Sequence, residues 1–344
     1  MTRHPLLLAV LTADLITFLL LLTAAATAFR IALHWHPAEA DGRQIRLQAR
    51  SETAALTVYG AFGLHLFASA VLIYGLTNIL PGVVPGAMCG TGVLQAMQSG
   101  GPRMLIYRCG ATALFWIWWR LEKVNRALPE GPLVPINARI VLLLLPVCAL
   151  ALHATWQALL AMDLQQPVDC CAVVYDQFQS LGEARRTLGV GNGFWGWAFG
   201  VITPTLTAVV GAVWRGRPRR WLPLLLTVLA GLWLPIAAVA LIRVWAAYHY
   251  GVLHHYCPWC LFLPEHHMIG FPVWIAWLVV AYEAPAALVL SAPFIRKLQG
   301  VTVPADAGVR QAARNMLMAV VFFVLLAVGP AIWWRLHFGM WLSG

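Results

Sequence analysis

Trp221-Leu-Pro-Leu-Leu-Leu-Thr-Val-Leu-Ala-Gly-Leu-Trp-Leu-Pro-Ile-Ala-Ala-Val-Ala-Leu-Ile242 decides the fold. No side chain in it is charged, and Leu, Val and Ala fill it without the strict alternation of a barrel strand. A helix rises about 1.5 Å per residue, so a run of this length crosses a hydrocarbon core of about 30 Å. Inside lipid a helix satisfies every backbone N–H and C=O within the one segment, which an open strand cannot do.

Runs of the same kind recur outward from this one. They are Leu6–Leu33, Ala54–Leu80, Met104–Trp119, Ile140–Met162, Gly193–Trp214, Trp221–Tyr248, Phe271–Phe294 and Met316–Trp334. The third is short and is expected to extend in both directions. The expected fold is therefore all-α, a polytopic integral membrane bundle of about eight transmembrane helices. Pro146, Pro204 and Pro235 are expected only to kink their spans. A cleaved signal peptide does not account for the first run. It is too long for an h-region, and no small-residue cleavage site precedes a soluble domain.

Composition agrees. Of 344 residues, 61% are hydrophobic and 10% charged, whereas soluble domains carry about a quarter charged residues. Seventeen Trp and twenty-one Pro suit a membrane protein. The net charge of +10 comes from short clusters between apolar runs. No basic stripe interleaved with accessible aromatics runs through the chain, so nucleic acid is excluded as a partner.

The clusters set orientation. Arg30, Arg43, Arg46 and Arg50 form one basic group, and Arg120, Lys123, Arg126 and Arg139 a second. Arg215, Arg217, Arg219 and Arg220 form a third, and Arg296, Lys297, Arg310 and Arg314 a fourth. Arg3, Arg103, Arg108, Arg185, Arg186, Arg243 and Arg335 lie on the lighter side. The positive-inside rule places the heavy loops in the cytoplasm and both termini outside, as expected for a bacterial inner membrane.

Seven cysteines are present. Cys109 and Cys148 lie in apolar runs and read as small buried hydrophobes. Cys89, Cys170, Cys171, Cys257 and Cys260 all fall on the oxidising, non-cytoplasmic side. Cys257-Pro-Trp-Cys260 brings two sulfurs within one turn. At a helix start, the proline would suit the first turn and the helix dipole would favour a thiolate. The motif reads as a redox dithiol, a pair of metal ligands or a structural disulfide. A c-type haem is excluded because Leu261 stands where His is needed.

Adjacent Cys170 and Cys171 would make a strained disulfide, so each is expected to pair elsewhere, at least transiently. Cys89 to Gly101 aligns without gaps on Cys170 to Gly182, with identities at Cys89/Cys170, Val93/Val174, Gln98/Gln179, Ser99/Ser180 and Gly101/Gly182. This hints at a partial duplication.

Residues Arg139 to Phe294 resemble the vitamin K epoxide reductase family, itself related in architecture to bacterial disulfide-generating membrane oxidoreductases. The anchors are Cys171-Ala-Val-Val, then Leu188-Gly-Val-Gly-Asn-Gly-Phe-Trp-Gly196, then Tyr256-Cys-Pro-Trp-Cys-Leu261. The resemblance implies a four-helix oxidoreductase bundle over 136–295, after a three-helix region 1–135 and before a last helix in 296–344. It implies that Cys257 and Cys260 face a membrane quinone (ubiquinone or menaquinone), with Trp259, Tyr256, Phe262 and Trp195 candidates to line it and Trp197 nearby. It implies that Cys170 or Cys171 belongs to a loop shuttle taking electrons from a soluble thioredoxin-like partner on the non-cytoplasmic side. The loop departs from the family pattern because Cys170 and Cys171 are adjacent and Ser180 lies further from Cys171 than usual. Cys89 could supply the missing partner. Other membrane subunits are a further possible set of partners.

Two rival chemistries are legible. His249, His254, His255, His266 and His267 flank the motif with Glu265. They read as solvated interfacial residues, as a cation that activates Cys257, or, for His254, His255, His266 and His267 with the cysteines, as ligands for soft copper or zinc. His65 and His153 sit at similar depth in two spans, where they would ligate a haem b in an electron-transfer subunit. Glu283 falls near the cytoplasmic end of its span. There it reads as partly hydrated, or as a proton relay.

Overall fold

The computed structural model describes residues 5–36, 41–128, 131–162, 168, 186–216, 221–251, 256–296 and 302–342. The chain is helical, as its apolar runs require. Helices α1 (Pro5–His34), α2 (Gly42–Tyr74), α3 (Gly90–Ala96), α4 (Gly100–Asn125) and α5 (Val134–Met162) make up its first part. Then follow α6 (Asn192–Arg215), α7 (Leu222–Ala240), α8 (Ala246–Tyr250), α9 (Gly270–Leu290), α10 (Pro293–Arg296) and α11 (Thr302–Phe338). Among the described residues the only strand pairing is a two-residue ladder, Arg186–Thr187 (β1) with Val190–Gly191 (β2). Leu188 and Gly189 turn it with φ of 54° and 77°.

Among the described residues, seven helical stretches are long and apolar enough to cross a bilayer, as in an integral membrane protein. The expected third span is the exception. It does extend both ways, into the 26-residue α4, but α4 falls outside the seven. Its charges are the reason. Arg108, Arg120 and Glu122 are buried on its inner face rather than absent from it.

Two compact units divide the chain. The first contains residues 1–85, 92–168 and 292–305, and the second residues 86–91, 169–291 and 306–344. The partition expected at 135 and 295 is therefore not the one that packing makes. Helix α5 packs along α1 and α4 and belongs to the first unit, whereas α6 to α9 belong to the second. The apolar faces that α1 and α4 present to α5 explain this. Leu21, Phe115, Leu121 and Leu144 are wholly buried there.

In the first unit α2 lies against α1, and α4 against α5. Asp41 caps α2 by accepting a bond from the Gln44 amide at 2.7 Å. At its other end α2 continues into a π-helical turn, Gly75–Ile79, and a 3-10 turn at Leu80–Gly82, where Pro81 cannot donate to the helix ladder.

The four long helices of this unit bury a polar network. Arg108 of α4 pairs with Asp14 of α1. Thr155 of α5 donates to the same carboxylate at 3.1 Å, and Arg108 reaches Ser69 of α2 at 3.3 Å. Because Asp14 and Arg108 are both buried, each needs the other to offset the cost of leaving water.

The second unit is built on α6, α7, α9 and most of α11. Its centre is aromatic: Trp233 meets Phe323 edge-on at 5.1 Å and Phe199 at 6.5 Å. The Trp233 indole N–H donates to Thr203 at 3.0 Å, which satisfies a donor that is otherwise sealed in an apolar core. Helix α7 also ends in a π-helical turn, Leu241–Trp245, before α8 and the Cys257 segment.

Candidate functional site

The second unit takes in Gly86–Thr91 and so holds Cys89 together with Cys257 and Cys260. Their three sulfurs all lie within 4.8 Å of one another. Cys89 Sγ is 3.4 Å from Cys257 Sγ. The three residues are 4%, 3% and 8% exposed, so the sulfurs meet out of water. Tyr250, Trp259 and Leu263 pack around them.

Local chain geometry makes this meeting possible. The Cys260 amide donates to the Cys257 carbonyl at 3.3 Å, which folds the motif into a turn. Tyr250 fixes the same carbonyl from the other side with its hydroxyl, at 2.6 Å. On the facing segment, Gly90 follows Cys89. A Cβ at Gly90 would stand 2.7 Å from the Trp259 ring, so only glycine lets the indole of the motif lie against the Cys89 backbone. Thr91 places its hydroxyl 3.6 Å from Cys257 Sγ.

The motif does not open an α-helix, as the sequence suggested it might. Short 3-10 turns at Cys260–Phe262 and Pro264–His266 follow it, and α9 begins only at Gly270. The proline and the close spacing favour the tight turn. A helix dipole is therefore not what activates a thiol here. Cys257 is held well below the ordinary thiol value because Cys260 and Cys89 donate S–H bonds to its sulfur, with the Thr91 hydroxyl adding a third donor. Cys260 is pushed upward, because its proton is the one given to Cys257. These donors favour a thiolate on Cys257 and leave the proton on Cys260.

The predicted residues divide into those the fold gathers and those it does not. Cys89, Cys257 and Cys260 come together. Cys170, Cys171, His254 and His255 lie outside the described residues. Trp259 touches the thiols and stands 5.9 Å from Phe262, which meets Phe271 edge-on at 4.9 Å. Tyr256 lies under the Arg243 guanidinium at 4.4 Å, and its hydroxyl accepts from Asn192 at 3.3 Å. Trp195 is buried in α6, where its ring meets Phe194. Trp197 is exposed.

Among the described residues no histidine joins the sulfur cluster. His266 rests edge-on against Tyr250 at 4.7 Å. Burial lowers its basicity more than Glu265 raises it. His267 is exposed.

The structure does not bring the two histidines of the haem reading together in one pocket: His65 is buried, 3.0 Å from the Thr112 hydroxyl, whereas His153 is exposed on α5. Glu283 is also corrected. It is 0% exposed rather than hydrated, and Asn315 of α11 donates to it at 2.5 Å. Cys148 is buried as expected, but Cys109 is on an exposed face.

Sequence reasoning missed the Asp14–Arg108 pair, although both residues were visible as charges inside apolar runs. It also missed Gly90 and Thr91, whose only signal was their place beside Cys89. No family model, curated protein or solved structure matches the chain.

Proposed function

We propose that the protein is a membrane thiol–disulfide oxidoreductase in which Cys257 switches between Cys260 and Cys89 and passes electron pairs to a membrane quinone. The observation that carries this reading is the burial of three sulfurs in one cluster, with the activated Cys257 within 3.4 Å of Cys89.

The chemistry balances as follows. When Cys257 and Cys260 are joined, the Cys89 thiolate attacks Cys257 Sγ. A Cys89–Cys257 bond forms, the Cys257–Cys260 bond breaks, and Cys260 leaves as a thiolate that takes up a proton. The reverse attack by Cys260 restores the first bond and frees Cys89. Neither exchange changes the count of electrons.

Net oxidation occurs when the Cys257–Cys260 dithiol forms its disulfide. Two protons and two electrons leave, and a quinone that takes up both becomes a quinol. A soluble thioredoxin-like dithiol on the non-cytoplasmic side then re-reduces the cluster, with Cys170 or Cys171 as the intermediate that the family resemblance implies. The aromatic group of Trp259, Phe262 and Phe271 supplies apolar ring contacts near the dithiol, which suits a quinone in lipid.

The test is thiol trapping with a mass-shifting alkylator, on protein purified in detergent, before and after addition of a quinone analogue. Quinone should convert two free thiols to one disulfide; Cys257→Ser should abolish this, whereas Cys260→Ser should leave Cys89–Cys257 as the one bond that forms. Thiols indifferent to quinone would sink the proposal.

A second reading rests on the same cluster. Three thiolates within 4.8 Å, with no carboxylate among them, fit a soft monovalent ion such as copper(I). Metal analysis of the same sample separates the two. Stoichiometric copper lost on Cys89→Ser, together with inert thiols, favours metal binding.

A further inference from the structure

The first unit carries a second site that the thiol chemistry does not use. Where α1 ends and α2 begins, a cavity of about 420 Å³ is lined by Arg30, His34, Arg43, Arg46, Leu47 and Arg50. Arg30 and His34 are four residues apart on α1. Arg43, Arg46 and Arg50 follow a three- and four-residue spacing on α2. Each set therefore shares one helix face.

The two faces are fixed relative to each other. The His36 amide donates to Gln44 Oε1 at 3.3 Å, with Gln44 buried, and Asp41 caps α2. No ion pair to any of the four arginines is found among the described residues. Four guanidinium groups thus line one hollow, and among the described residues no carboxylate pairs with them. Like charge gathered in this way attracts an anion.

The surroundings indicate where the anion comes from. Phe29 and Leu33 are each 57% exposed and Ile45 is 62% exposed, on the same ends of α1 and α2. These side chains suit acyl chains, and the arginines above them suit phosphate oxygens, which guanidinium binds in a two-pronged fashion.

We propose that this cavity binds the phosphate headgroup of an anionic phospholipid, with Arg30, Arg43, Arg46 and Arg50 as the phosphate ligands. A headgroup with two phosphodiesters, as in diphosphatidylglycerol, matches four cations better than a headgroup with one. The site is independent of the sulfur cluster and stands whether or not that cluster handles disulfides.

Native mass spectrometry of the full chain in detergent tests it, with diphosphatidylglycerol, phosphatidylglycerol, phosphatidylcholine or inorganic phosphate added. The wild-type protein should retain diphosphatidylglycerol at least about tenfold more strongly than phosphatidylcholine, with phosphatidylglycerol between them. The triple variant R43Q/R46Q/R50Q should lose that preference. R215Q/R217Q/R219Q makes the same charge change in another basic cluster of the sequence and should keep it. A melting curve without lipid checks that both variants fold. Equal loss in the two triple variants would mean diffuse surface charge and overturn the site. Displacement of the lipid by inorganic phosphate at matching concentration would overturn the lipid assignment.

Discussion

Cys257 gathers three donors, the S–H groups of Cys89 and Cys260 and the hydroxyl of Thr91. A lowered thiol pKa means that the thiolate persists as pH falls, and alkylation follows the thiolate. Iodoacetamide should therefore modify Cys257 at nearly the same rate from about pH 6 to about pH 8, whereas an ordinary thiol, with a pKa of about 8.5, speeds up by about tenfold per pH unit. Replacing Cys260 by Ala and Thr91 by Val removes donors, so the pKa rises and the rate becomes steeply pH-dependent. A flat profile in that double variant would mean that something else holds the thiolate. Gly90 makes a sharper point about what is legible. Nothing in the sequence marks it as special, because its reason is the Trp259 ring, which lies far away along the chain. Gly90→Ala should leave the protein folded and slow exchange between Cys89 and Cys257, read as the rate of disulfide transfer in trapped samples. The CxxC spacing, by contrast, was visible at once. Its surroundings were not, because Cys89 joins it only through tertiary folding.

At the level of helices, seven of the eight expected runs are, among the described residues, helices long and apolar enough to cross a bilayer, since length and hydropathy act locally. Helix α4 shows where such reading stops. Its charges suggest a poor span, yet Arg108 is sealed against Asp14, and Glu122 accepts from Asn137 at 2.8 Å. Arg108→Met should destabilise the protein by about 3–5 kcal/mol, because Asp14 is left buried and unpaired. Adding Asp14→Leu should recover most of that loss in thermal unfolding. If the double variant is as unstable as the single one, the pair is not the cause. Labelling of single cysteines placed near Gly101 and near Arg126 should find the two ends of α4 on opposite faces of the membrane. Labelling from one face would make α4 a buried, non-crossing helix.

Across the whole molecule, one chain pattern occurs twice. A long helix, α2 or α7, ends in a π-helical turn, and a cysteine segment follows it in sequence. A residue with positive φ then stands two positions before a helix-opening glycine that is followed two residues later by proline. Gln98, with φ of 51°, precedes Gly100 and Pro102, and Met268, with φ of 52°, precedes Gly270 and Pro272. The sequence comparison had instead matched the segment after Cys89 to the one after Cys170, because single-residue identities are easier to see than a shared backbone turn. The division between units was likewise hidden. The apolar residues of α5 look the same in sequence whether they face α4 or α6. The central claim is that Cys257 has two partners, and disulfide mapping by mass spectrometry across a graded oxidation series tests it most directly. We predict Cys257–Cys260 and Cys89–Cys257 as alternating bonds, with Cys260→Ser trapping the second. If Cys257 never bonds to Cys89 at any potential, the exchange account is wrong.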